Sequence, residues 1–194
     1  INEQFARAAL AYPEIGFELT VNRRVAQNLP QCQNRVERLG SFYGPELAAA
    51  LMSIAREERG VRLEAYAAPP VQSRATAQWQ YVYVNGRYVR DRFIQHAIKE
   101  AYRGLMEPNR HGVVFLFITL DPREVDVNVH PTKIEVRWAD SNLIHSQVLS
   151  ALRETFQRCD LTPRLRTQQE SSPLSEAEQD RVRHELAEVL KATT

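Results

Sequence analysis

The spacing of apolar positions changes several times along the chain, and each change marks an element. Ile1, Phe5, Ala8, Ala9 and Tyr12 recur at helical spacing and predict an amphipathic helix over residues 1–12. It ends before Pro13, whose ring disfavours helical geometry in the preceding residue. From residue 17 the period falls to two. Phe17, Leu19 and Val21 alternate with Glu18 and Thr20, Asn22 and Arg23 supply a turn, and residues 25–29 return as the second strand of a hairpin. Residues 33–40 read as a helix closing at Gly40, and residues 45–50 as another short helical turn. The run 51–59 fits helix or strand by pattern alone. The alternation of Val61, Leu63 and Ala65 with Arg62, Glu64 and Tyr66, just past Gly60, favours a strand that pairs with it.

Residues 67–78, rich in alanine, proline and small polar side chains, read as a surface loop. Residues 80–84 form a strand by their aromatic and β-branched content. Asn85-Gly86 is a turn, because both residues tolerate positive φ. Asp91 then caps a helix that carries Phe93, Ile94, Ala97, Ile98, Ala101, Tyr102 and Leu105 on one face, weakened at Gly104 and stopped by Pro108. The nearly unbroken apolar run 113–120 predicts a central strand covered on both faces. After an Asp121-Pro122 turn come two alternations, Val125, Val127, Val129 and then Ile134, Val136, Trp138, broken at Pro131. Residues 142–157 form a last core helix through Leu143, Ile144, Val148, Leu149, Leu152 and Phe156. Residues 161–174 read as a polar, proline-punctuated linker. Residues 175–194 read as a capped amphipathic helix and tail, with Ser175 and Glu178 making the capping box.

Composition narrows the function classes. The 194 residues are 43% hydrophobic and 25% charged, as in a soluble globular protein, and no apolar run is long enough to span a bilayer. Basic and acidic residues nearly cancel, 25 against 24, so a nucleic-acid argument must rest on local clustering. Cys32 and Cys159 lie far apart with no Cys-x-x-Cys, which argues against a disulfide framework and a structural zinc, and leaves both to pack as small hydrophobes. The chain opens on Ile1 within a helical repeat and so reads as an excised fragment.

Local charge concentrates after the Asn-Gly turn. Residues 81–110 hold six basic side chains (Arg87, Arg90, Arg92, Lys99, Arg103, Arg110) against three acidic ones. At about 100° per residue, Arg92, His96, Lys99 and Arg103 project within a stripe of roughly 60°. Such a ridge is a solvated helix face or a seat for phosphates. A second candidate is the strand junction where Asn128, His130 and Lys133 converge around Pro131. A lysine there is placed to meet an anion or to stand in solvent.

These two segments also carry a resemblance. The run 83–91, Tyr-Val-Asn-Gly-Arg-Tyr-Val-Arg-Asp, closely resembles a signature of MutL-type DNA mismatch repair proteins. The run 125–136, Val-Asp-Val-Asn-Val-His-Pro-Thr-Lys-Ile-Glu-Val, is similar to that family's Val-Asp-Val-Asn-Val-His-Pro-x-Lys-x-Glu-Val almost letter for letter. The likeness is good over residues 78–157, weaker over 1–77 and absent after about 160. It implies that residues 1–160 are the transducer, the second domain after a GHKL ATPase domain. The implied fold is an α/β sandwich resembling the second domain of a small-subunit ribosomal protein, with a left-handed βαβ crossover.

In the family the motif lysine reaches the γ-phosphate of ATP, a role the resemblance assigns to Lys133, with Asn128 and His130 supporting it. The family's DNA-binding arginine falls on Arg92, with Arg87, Arg90, His96, Lys99 and Arg103 as further DNA-binding candidates. The ATPase motifs have no counterpart in the chain, so the fragment is expected to be no enzyme and to hold no metal or cofactor; ATP and Mg belong to the full-length protein. The implied partners are sequence-independent DNA, the protein's own ATPase domain, a MutS-like mismatch-recognition protein and a second copy in a homodimer. The implied location is the cytoplasm at the nucleoid, or the nucleus in a eukaryote. Two rivals are the transducer of another GHKL enzyme such as a type II topoisomerase, and a free-standing RNA-binding module of the same fold.

Overall fold

The computed structural model describes residues 2–127, 129 and 134–159. Asn128, His130 and Lys133, the 161–174 linker and the 175–194 helix and tail lie outside the described residues. The chain opens with α1 (Asn2–Ala11), the hairpin β1 (Phe17–Val21) and β2 (Arg24–Leu29), then α2 (Arg35–Tyr43) and α3 (Pro45–Ala50). It continues through β3 (Met52–Glu58), β4 (Val61–Ala67), β5 (Gln80–Val84), β6 (Arg87–Val89), α4 (Arg92–Ala101) and β7 (Val114–Thr119). It closes with β8 (Val125–Asp126), β9 (Arg137–Trp138) and α5 (Ser141–Arg158).

A five-stranded sheet of order β3-β4-β7-β5-β6 organises the core. The apolar run ending at Leu120 supplies the middle strand. β7 pairs antiparallel with β4 and parallel with β5, and α4 lies on the crossover from β5 and β6 to β7. Because side chains alternate across a strand, the sequence of β5 and β7 writes two different faces. Val82, Val84, Val114, Leu116 and Ile118 face α4 and α5, meeting Ile94, Ile98, Ile144, Val148, Leu152 and Phe156. Tyr81, Tyr83, Phe115 and Phe117 face α1, α2 and α3, meeting Leu10, Leu39 and Leu47. The parallel register sets Tyr81 beside Phe115 and Tyr83 beside Phe117, and both pairs stack. The α/β sandwich that the resemblance implies is therefore present.

Several expectations are corrected. The inward stripe of α1 is Ala6, Ala9 and Leu10, while Ala8 and Tyr12 face solvent. Small residues win the buried face because α1 lies close against the rest of the fold. The larger ring of Phe5 packs at the flank, against Phe17 and Phe42. α2 runs through Gly40 to Tyr43 and stops at Gly44, whose φ of 96° breaks the helix. A Cβ on Gly40 would lie 3.3 Å from that of Ala48, so its bareness serves the approach of α3. β6 was not marked by the pattern. Among the described residues the second pair of alternations forms a two-residue ladder, Val125 with Trp138 and Asp126 with Arg137. Cys32 and Cys159 are half-buried free thiols, not core residues.

Candidate nucleic-acid interface

Between Tyr83 and Arg92, the side chains of Tyr83, Asn85 and Asp91 are bonded into the scaffold. The Tyr83 hydroxyl donates to the Arg7 carbonyl at 3.0 Å, fixing α1 to the sheet, and burial pushes that phenol well above its ordinary range. Asn85 and Gly86 take φ of 48° and 79°. The Asn85 side chain exchanges two hydrogen bonds with the backbone of Leu120, both at 3.1 Å, closing the turn onto the end of β7. The aspartate at position 91 holds two elements at once. One carboxylate oxygen accepts the Ile94 N–H at 2.9 Å, capping α4, and the other accepts the indole N–H of Trp138 at 3.1 Å. The Arg90 N–H donates to the Ile134 carbonyl at 2.8 Å. The two sequence runs are thus joined by a direct bond, and Trp138, two residues past the second run, adds another to Asp91.

Arg92 follows this cap as the first residue of α4 and is exposed. A cation there opposes the helix macrodipole, at a cost of about 0.3–1 kcal/mol. Its placement is not explained by stability. His96 and Lys99 follow on the same exposed row, and Arg103 continues it from the turn beyond the helix. Arg103 donates to the Glu100 carboxylate at 2.8 Å. The apolar face of α4 is narrower than expected. Ile94, Ala97, Ile98 and Ala101 are buried, but Phe93 is 51% and Leu105 41% exposed. The helix ends at Ala101 and Gly104 turns at φ 78°, so Leu105 leaves the face that its spacing had assigned it.

The six expected cations do not form one set. Arg87 is exposed at the start of β6 and borders a hollow shared with Gln4, Arg7 and Tyr12 of the α1 region. Arg90 reaches the Glu3 carboxylate at 3.1 Å and the Tyr88 hydroxyl at 3.2 Å, so it is committed to α1 and its neighbours. The Tyr88 phenol, and behind it Glu3, raise the Arg90 pKa, keeping it charged. Arg92, His96, Lys99 and Arg103 remain as a continuous row.

Sequence reasoning placed His145 only as a residue of the last core helix. Its Nε2 lies 3.1 Å from Nδ1 of His96, with the rings stacked at 5.3 Å between centroids. No local pattern signals this, because the partners are separated by most of α4, β7 and the 120–140 segment. Among the described residues no group of three or more His, Cys, Asp or Glu side chains is arranged to hold a metal, and no helix is long and apolar enough to cross a membrane.

Residues 39–157 match the family model described as DNA mismatch repair protein, C-terminal domain. The chain belongs to the MutL family of DNA mismatch repair proteins. It is 42% identical over 162 residues to the MutL of Nitrobacter winogradskyi, covering 81% of this chain and 27% of that protein. It is 38% identical over 167 residues to the MutL of Pelobacter propionicus, covering 86% and 27%. The chain therefore spans about a quarter of the length of the curated MutL proteins it matches. The fold is shared with the N-terminal domain of a DNA repair protein at a TM-score of 0.69 and 18% identity, over 83% of this chain and 54% of that one. It is also shared with the ATPase domain of the mismatch repair endonuclease MutL from Aquifex aeolicus, at 0.50 and 19%, over 79% and 49%.

Proposed function

We propose that this chain is the transducer of a MutL protein acting in DNA mismatch repair, coupling the nucleotide state of an upstream ATPase domain to contact with DNA. The observation that carries the reading is the exposed cationic row of α4, headed by an arginine whose position costs the helix stability. Phosphate contacts from such a row give salt-dependent affinity without reading sequence. Arg87 flanks the row, and Arg90 contributes by holding α1 to β6.

Lys133 is the proposed sensor of the ATP γ-phosphate, with Asn128 and His130 of the same segment supporting it. A lysine fits that task as a compact charge with three donors. The ladder of β8 with β9 fixes the two flanks of that segment, and the bonds from Asp91 to Trp138 and from Arg90 to Ile134 connect one flank to the head of α4. A nucleotide-driven shift at one end therefore has a short route to the DNA surface at the other. In the full-length protein the reading includes ATP hydrolysis with Mg, homodimer closure and engagement of a MutS-like protein at the nucleoid. The fragment itself is assigned no catalysis.

Fluorescence anisotropy of a labelled duplex across a salt series tests the surface. The parent chain is expected to bind with affinity falling as salt rises, and Arg92→Glu to weaken binding about tenfold or more at low salt. Equal affinity of parent and variant would sink the assignment. For the sensor, Lys133→Ala in the full-length protein is expected to slow steady-state ATP turnover, and unchanged turnover removes the role.

A further inference from the structure

We infer that the nucleic-acid surface is two helices wide, its second row being His145 and Arg153 of α5, and that both contact the phosphate backbone. This rests on the assignment of the α4 row to DNA.

Two cross-helix contacts, about one turn apart on α4 and about two turns apart on α5, build the second row onto the first. His96 of α4 meets His145 of α5 at 3.1 Å. Glu100, four residues on, meets Arg153 at 3.6 Å, and the Arg153 guanidinium also lies 3.4 Å from the Glu100 carbonyl. Because both contacts advance in the same direction along the two helices, α5 follows α4 side by side over this stretch. The buried stripe of α5, Ile144, Val148, Ala151, Leu152 and Phe156, is spent on the sheet and α4, so His145 and Arg153 lie at the seam's outer edge.

Glu100 is the carboxylate that these contacts bring into the seam, and its charge is shared between two arginines. Arg103 approaches at 2.8 Å and Arg153 at 3.6 Å, with the carboxylate 20% exposed and the guanidinium groups 77% and 47% exposed. Exposed ion pairs of this kind stabilise a fold little. What the triad does is hold two guanidinium groups side by side, each with donors left over for an incoming anion. The other acid on this stretch of α5, Glu154, is drawn to the opposite flank by Arg56 of β3 at 3.0 Å. Charge on α5 is thus sorted, acid toward β3 and base toward α4. Arg92, Lys99, Arg103 and Arg153 face the outside, with Glu100 the counter-charge of Arg103 and Arg153. A backbone of closely spaced phosphates fits this field better than a peptide, which would seek an apolar pocket between the rows.

The test uses the full 194-residue chain, a labelled duplex and a salt series, with Arg92→Glu in parallel. Arg153→Gln and His145→Gln are each expected to lower duplex affinity about three- to tenfold at low salt, with the salt slope of Arg153→Gln reduced by about one. Arg153→Lys keeps the charge and is expected to recover most of the loss, whereas a purely structural role would not be rescued. Unchanged thermal melting confirms that each variant folds. If Arg92→Glu weakens binding while both α5 variants match the parent in affinity and slope, the second row is wrong and the α4 row stands. If the parent does not bind duplex at all, both fall together. If polyglutamate competes as well as DNA at equal charge, the phosphate assignment is overturned in favour of an acidic polypeptide.

Discussion

On the face of the sheet beneath α1 and α2, arginines are consumed inside the fold, whereas over α4 and α5 they are held at the surface. Arg38 is fully buried and donates to the carbonyls of Pro13 and Ile15 at 2.9 and 2.6 Å. Arg7 lies over the ring of Tyr88 at 4.0 Å and pairs with Glu3. Arg35 lies over Phe117 at 4.2 Å and reaches Glu64 at 3.1 Å. The chemistry of the two faces makes the difference. Aromatic rings present negative π-faces that accept guanidinium groups, so a tyrosine- and phenylalanine-covered face can take cations in. The other side is mostly valine, leucine and isoleucine, with Tyr102, Trp138 and Phe156 buried among them, and the arginines beside α4 and α5 are held by carboxylates, Arg56 by Glu58 and Glu154, Arg103 and Arg153 by Glu100. Arg7, Arg35 and Arg38 are thus taken up by the fold, whereas Arg92, Arg103 and Arg153 stand exposed.

That contrast can be broken most severely at Arg38. Arg38→Ala empties a buried site, takes the guanidinium donor from the Ile15 carbonyl and leaves the Pro13 carbonyl with the Cys32 N–H, and is expected to cost about 3–5 kcal/mol in urea denaturation. A loss under about 1 kcal/mol would mean that this face does not depend on its internal cations. Asp91→Ala is the next largest. It removes the α4 cap and leaves the buried indole N–H of Trp138 without an acceptor, an expected cost of about 2–4 kcal/mol. The same melt on Trp138→Phe, which leaves the cap in place, separates the two contributions. Arg92→Glu stands at the other extreme. It replaces an unfavourable charge at a helix N-terminus with a favourable one, so stability is expected to rise by about 0.3–1 kcal/mol while DNA affinity falls. A variant that lost both together would place Arg92 with the structural arginines.

Much of this was legible from the residues. The aliphatic and aromatic faces are written as alternate letters of two strands, the Asn85-Gly86 turn by its tolerance of positive φ, and the cap at position 91 by its place before an apolar stripe. The cationic row of α4 follows from helical spacing alone. The misreadings have a common form. Gly40 looked like a helix end because glycine is a poor helix former, but a neighbouring helix needed the space. Leu105 fitted a stripe that the helix stopped too early to continue. Among the described residues, the alternations on either side of Pro131 pair over two residues.

What the sequence determined by itself is everything with a local period: the identity of most elements, which side chains share a face, and that four basic residues line one side of α4. Tertiary structure alone decided which charges remain available. Glu3 takes Arg90 from across the fold, His145 arrives beside His96, and Glu100 is divided between Arg103 and Arg153. Periodicity is a property of neighbours along the chain and can be read from it. The availability of a charge depends on what lies within a few ångströms through space, and only the packing of distant segments supplies that.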